Sequence, residues 1–231
     1  MTLDPIQIRV LGALIEKEIV TPETYPLSLN ALVNACNQRS SRDPMMNLTE
    51  DEVRQALHTL EDMGLTAVVR DSRVAKYEHR IRTVLNLRRD ETAILCLLFL
   101  RGPQTPGELR ARADRLYSFD GLDAVESTLG RLTAPADETG DQAGGAQPMR
   151  PLAVVLPRQP GSRESRYAHL LGGPVEAAVR DSGGEELRSR GGLAAGQPSE
   201  SALTARVSEL ESEVAALRAA VARIEERLAG S

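Results

Sequence analysis

The chain contains two copies of one pattern. Leu11, Leu14 and Ile15, followed by Thr21-Pro22, return as Leu95, Leu98 and Phe99, followed by Thr105-Pro106. Val53, Leu57 and Leu60 return with the same internal spacing as Val125, Leu129 and Leu132. Ala67-Val68-Val69 returns as Ala153-Val154-Val155, and Lys76-Tyr77-Glu78-His79 as Arg166-Tyr167-Ala168-His169. The order of the motifs is kept while the separation between copies changes. Fixed elements joined by loops of variable length produce that pattern. Whatever the first half folds into, the second half must therefore be able to fold into as well.

Each copy predicts three helices and a hairpin. Asp4-Pro5-Ile6-Gln7 offers an N-cap, a proline at the first helical position and a capping-box partner, and Ile8, Leu11 and Ile15 then form one apolar stripe. Leu29 to Asn37 is a short second helix capped by Ser28. Thr49 and Glu52 make another capping box, opening a third helix that runs through Met63 and stops at Gly64. The β-branched runs Thr66–Arg70 and Val74–His79 flank Asp71-Ser72-Arg73 and predict a hairpin. The second copy begins at Asp90. Glu91–Arg101 is apolar nearly all round, so it should be buried on most sides as a packing element between domains or subunits. Thr105 and Glu108 open the next helix, Leu122–Leu132 is the third, and Pro151–Leu156 with Ser165–Leu171 make the hairpin. Ala134–Gln147, rich in Ala, Gly and Asp, reads as a mobile loop.

Three helices followed by a hairpin is the winged-helix arrangement, in which helix three commonly enters the DNA major groove and the wing grips the backbone or minor groove. The block Thr21-Pro22-Glu23-Thr24-Tyr25-Pro26-Leu27-Ser28-Leu29-Asn30-Ala31-Leu32 is more specific. With Val10–Lys17 before it, Ala35–Pro44 after it and Lys76–Arg80 further on, it resembles the YceH-like family of uncharacterised bacterial proteins. The resemblance covers about residues 3–172. It implies a tandem winged-helix fold and carries over no functional residues. The expected fold is mainly α with small β-hairpins (α+β). Residues 1–88 and 89–173 are the two winged-helix domains, 174–200 a flexible Gly-rich linker and 201–229 a coiled-coil helix.

The tail carries an unbroken heptad seam. Leu203, Val207, Leu210, Val214, Leu217, Val221, Ile224 and Leu228 alternate four- and three-residue steps. Val at most a positions with Leu at d favours a parallel two-stranded coil, and Arg206 with Glu211 and Glu213 with Arg218 attract across such a pair. A homodimer through this seam is the expectation. A single amphipathic helix folded onto the body is the alternative, although it would want a wider apolar stripe.

Charge then narrows the function. The sequence has 28 Lys plus Arg against 33 Asp plus Glu, a net charge of −5, so nucleic acid can be met only by a local basic patch. Aromatics are 3%, too few for a stacking platform. Arg70, Arg73, Lys76, Arg80 and Arg82 cluster on the first hairpin and its exit, Arg39 and Arg42 lie in the loop before helix three, and Arg163 and Arg166 mark the second wing. Arg54 and His58, with Gln55, are the base-reading candidates on helix three. An ordinary solvated hairpin is the bland alternative. Glu50, Asp51 and Glu52 at the start of helix three suit the helix dipole but would repel phosphate.

Phosphate-loop, zincin and nucleophile-elbow motifs are missing from the sequence, and His58, His79 and His169 stand far apart and away from Cys36 and Cys96. No enzyme activity, cofactor or metal is expected. Both cysteines read as core thiols, and without a signal peptide or an apolar run of about 20 residues a cytoplasmic location is expected. The leading expectation is a dimeric DNA-binding regulator or nucleoid-associated protein. The alternative is a winged-helix scaffold that binds protein, of the kind found in chromosome-organising complexes, with no direct DNA contact.

Overall fold

The chain begins its first helix at the residue that can cap it. In the computed structural model, which describes residues 2–70, 74–135, 151–158, 161–162 and 164–173, Asp4 accepts a hydrogen bond from the Gln7 amide at 2.8 Å and Gln7 accepts from the Asp4 amide at 3.0 Å. This reciprocal cap opens α1, Pro5–Val20. Ser28 caps α2, Leu29–Cys36, and the Thr49–Glu52 box opens α3, Glu50–Asp62. Strands β2, Thr66–Val69, and β3, Lys76–His79, follow as an antiparallel pair with Val68 opposite Tyr77. A strand not expected from the sequence, β1 (Leu27–Ser28), pairs with β3, giving a three-stranded sheet of order β1-β3-β2.

A second unexpected element, α4 (Ile81–Val84), leaves β3 directly. It ends where Leu87 N donates to Arg82 O at 2.9 Å while Asn86 takes φ +48°. That is a helix-terminating turn with a left-handed residue, which Asn tolerates better than most side chains. The second copy then runs α5 (Arg89–Arg101), α6 (Pro106–Ala113), α7 (Leu122–Thr133) and the antiparallel strands β4 (Ala153–Val155) and β5 (Tyr167–His169). The Thr105–Glu108 box caps α6 as Thr49–Glu52 caps α3.

The two copies share one core rather than forming separate bodies. Every residue from Glu91 to Leu100 is buried, as the apolar wrap of α5 requires, and α5 lies directly against α1. Gly12 makes that approach possible: a Cβ there would sit 2.8 Å from Leu100 Cδ2 and 3.1 Å from Phe99 Cβ. Leu3 N donates to Leu171 O at 2.7 Å, tying the start of the first copy to the end of the second. The fold is thus mixed helix with small antiparallel sheets. Residues 71–73 of the first hairpin turn, 136–147 of the loop expected to be mobile, the linker from 174 to 200 and the coiled-coil segment from 201 onward lie outside the described residues.

Candidate nucleic-acid interface

The first hairpin presents its cations outward. Arg70 at the end of β2 is exposed, Lys76 at the start of β3 is half-exposed, and neither makes an ion pair among the described residues. Arg80, directly after β3, is exposed and lies 3.4 Å from Glu78. Arg73 and Arg163 lie outside the described residues. Arg166, directly before β5, is half-buried with Nη2 3.7 Å from Glu108 Oε1. Arg39 is exposed.

Arg42 requires a correction. Its side chain is 0% exposed, so it cannot reach a phosphate outside the protein. It holds Glu16 of α1 with Nη2 2.6 Å from Oε2 and Nη1 3.1 Å from Oε1, and donates twice more to the carbonyl of Ala35. Arg9, on α1, is buried in the same region and donates to Cys36 O at 3.1 Å and Pro44 O at 2.6 Å. Two guanidiniums therefore stitch the loop between α2 and α3 to the core. Carbonyls there would otherwise be buried without donors. Burial and the nearby Arg42 charge lower the pKa of Arg9 from its ordinary value.

Helix α3 presents an acidic outer face. Glu50, Asp51, Glu52, Glu61 and Asp62 are all exposed. Arg54 is exposed too, but its guanidinium is held by both Glu50 and Asp51 one turn back. His58 is 77% exposed and lies 3.8 Å from Asp62. Base edges in a groove would thus meet an arginine already engaged by carboxylates. Arg54 and His58 thus both lie beside carboxylates of their own helix, whereas Arg70 and Lys76 make no ion pair among the described residues.

The histidines of the two hairpins serve packing. His79 faces α1, with Nε2 2.9 Å from Glu18 Oε2, and its amide donates to the Tyr25 hydroxyl at 2.7 Å. The hydrogen bond from His79 is the main reason that the Glu18 carboxyl titrates below its usual range. His169 packs edge-on to Phe99 with ring centroids 5.0 Å apart. Cys36 and Cys96 are buried free thiols, and burial pushes Cys36 up to about 12. Among the described residues no group of His, Cys, Asp and Glu could hold a metal ion, and no helix is long and apolar enough to cross a membrane.

Three exposed arginines escaped the candidate set or entered only its margin: Arg82 on α4, and Arg88 and Arg89 at the start of α5. The density of arginine from Arg80 to Arg89 was the available signal. What local sequence did not show is the turn after α4, which brings Leu87 back to Arg82.

Comparison with known proteins places the sequence in a family. Residues 3–162 match the family model described as "Protein of unknown function, DUF480". A UPF0502 protein of Chromobacterium violaceum is 46% identical over 230 residues, covering 99% of this chain and 93% of the relative. One from Acidovorax sp. is 44% identical over 222 residues, covering 96% and 92%. One from Koribacter versatilis is 56% identical over 172 residues, covering 74% of each. The chain belongs to this DUF480/UPF0502 family of uncharacterised bacterial proteins.

Proposed function

We propose that the protein is a tandem winged-helix, DNA-binding regulator or nucleoid-associated protein, not an enzyme, and that it grips duplex backbone through the first hairpin. The observation that carries this reading is the contrast between two sets of cations. Arg70 and Lys76 stand out from the sheet with no ion-pair partner among the described residues. Arg54 on α3 is held by two carboxylates. Phosphate contacts are open to the hairpin, while base readout by α3 is opposed by its own charge. Backbone contacts position a protein without reading sequence, so binding should be nearly sequence-independent. Two copies joined by the heptad seam from Leu203 to Leu228 would raise the effective concentration of each weak head.

Titrating a labelled random-sequence duplex with the full chain at several salt concentrations tests this reading. Affinity should fall linearly on a log–log plot, with about 0.9 of slope per phosphate neutralised. The second reading, a scaffold that binds protein, is favoured by the acidic face of α3. Absence of duplex binding at low salt would transfer the assignment to it.

A further inference from the structure

The carboxylates along the chain from β3 to α5 are already engaged. Glu78 lies 3.4 Å from Arg80. Asp90 accepts from Thr128 Oγ1 at 2.9 Å and pairs with Arg131. Glu91 is buried and accepts from the Arg88 amide at 2.9 Å. Glu18, the carboxylate whose pKa Arg82 helps to lower, is hydrogen-bonded to His79. Arg82, Arg88 and Arg89 are exposed, and none of the three makes an ion pair among the described residues.

The turn after α4 folds the chain before Arg88 back onto the backbone of Arg82. Because Leu87 N reaches back to Arg82 O at 2.9 Å, Arg88 follows immediately beside the α4 backbone, and Arg89 begins α5. The amino end of that 13-residue helix adds partial positive charge at the same place. All three are exposed on one short stretch of chain and make no ion pair among the described residues, so a polyanion would supply partners that the protein does not. Their spacing along the chain also continues the series begun by Lys76 and Arg80.

We infer that Arg82, Arg88 and Arg89 form a second backbone-contacting strip for double-stranded DNA, extending the footprint from the first hairpin across the junction between the two copies. This rests on the DNA-binding reading above and names residues that the reading does not need. The strip takes phosphate, without distinction of base sequence.

The test compares the full chain with R82A/R88A/R89A and R82K/R88K/R89K, using anisotropy of a labelled random-sequence duplex at several salt concentrations. All three side chains are exposed, and urea unfolding confirms that each variant is folded. The alanine variant should lose about 2.7 from the slope of log affinity against log salt, at about 0.9 per contact. The lysine variant should keep the slope, because a point charge suffices for phosphate. Two duplexes of unrelated sequence should lose affinity by the same factor. Wild-type slope in the alanine variant overturns the strip while leaving the hairpin reading intact. No duplex binding by the wild type overturns both. Binding to anionic phospholipid vesicles in preference to duplex, lost in the alanine variant, overturns the assignment of the strip to DNA.

Discussion

Cys96 Sγ donates a hydrogen bond to the carbonyl oxygen of Gly12 at 3.5 Å, and the two residues occupy the same position in the two copies of the repeat. Each follows a repeated leucine, Leu11 or Leu95. Helices α1 and α5 thus meet at equivalent positions of the repeat. Gly12 sets the closeness of that contact. Gly12→Val should lower stability by about 2–3 kcal/mol, since added side-chain atoms must displace Leu100 and Phe99 in a filled core. Urea unfolding reads this directly, and an unchanged midpoint would refute the tight crossing.

Removing Arg42 leaves Glu16 without its buried partner and the Ala35 carbonyl without two donors. Arg42→Ala should cost about 3 kcal/mol in chemical denaturation. Duplex affinity of the molecules that remain folded should be unchanged, because this guanidinium never reaches the surface. A normal midpoint with weakened duplex binding would contradict the buried, structural role of this guanidinium.

Helix starts were the legible part of the sequence. Asp4, Ser28, Thr49 and Thr105 all cap where their local motifs said they would, because a capping box is decided within four residues. The two-residue β1 and four-residue α4 left no periodicity to read. Arg42 was illegible for another reason. Nothing near it distinguishes a solvated loop cation from one that crosses to Glu16 on α1, since burial is decided by tertiary packing. The consumption of Arg54 by Glu50 and Asp51 was readable in principle, since the three stand three and four residues apart on one helix face.

His169 makes stability depend on pH. Burial pushes its pKa down to about 4 from 6.5. Between those values the unfolded chain binds a proton that the native state does not. Stability therefore falls as pH drops through that window, by up to about 1.4 kcal/mol per pH unit from this group. Glu18 acts in the same direction at lower pH, since its depressed carboxyl loses its stabilising charge as pH falls through the folded value. The difference between urea midpoints at pH 7.5 and pH 4.5 should shrink in His169→Phe. An identical difference would remove His169 as the cause.

On the proposed reading the heptad seam joins two copies of the chain. The seam itself predicts that Val214→Asp places two like charges in one apolar strip of a parallel pair. Sedimentation of the wild type should give a dimer at micromolar concentration, and the variant a monomer with an unchanged unfolding midpoint for the rest of the chain. A monomeric wild type would contradict the seam reading.

On the proposed reading, DNA backbone is held by the first hairpin and is not read by α3. Salt-dependent anisotropy of one random-sequence duplex should compare R70A/K76A with R54A/H58A. The account predicts a slope smaller by about 1.8 for the hairpin variant, at about 0.9 per lost phosphate contact, and no loss of affinity for the α3 variant. Loss in the α3 variant with an unchanged hairpin variant would contradict it.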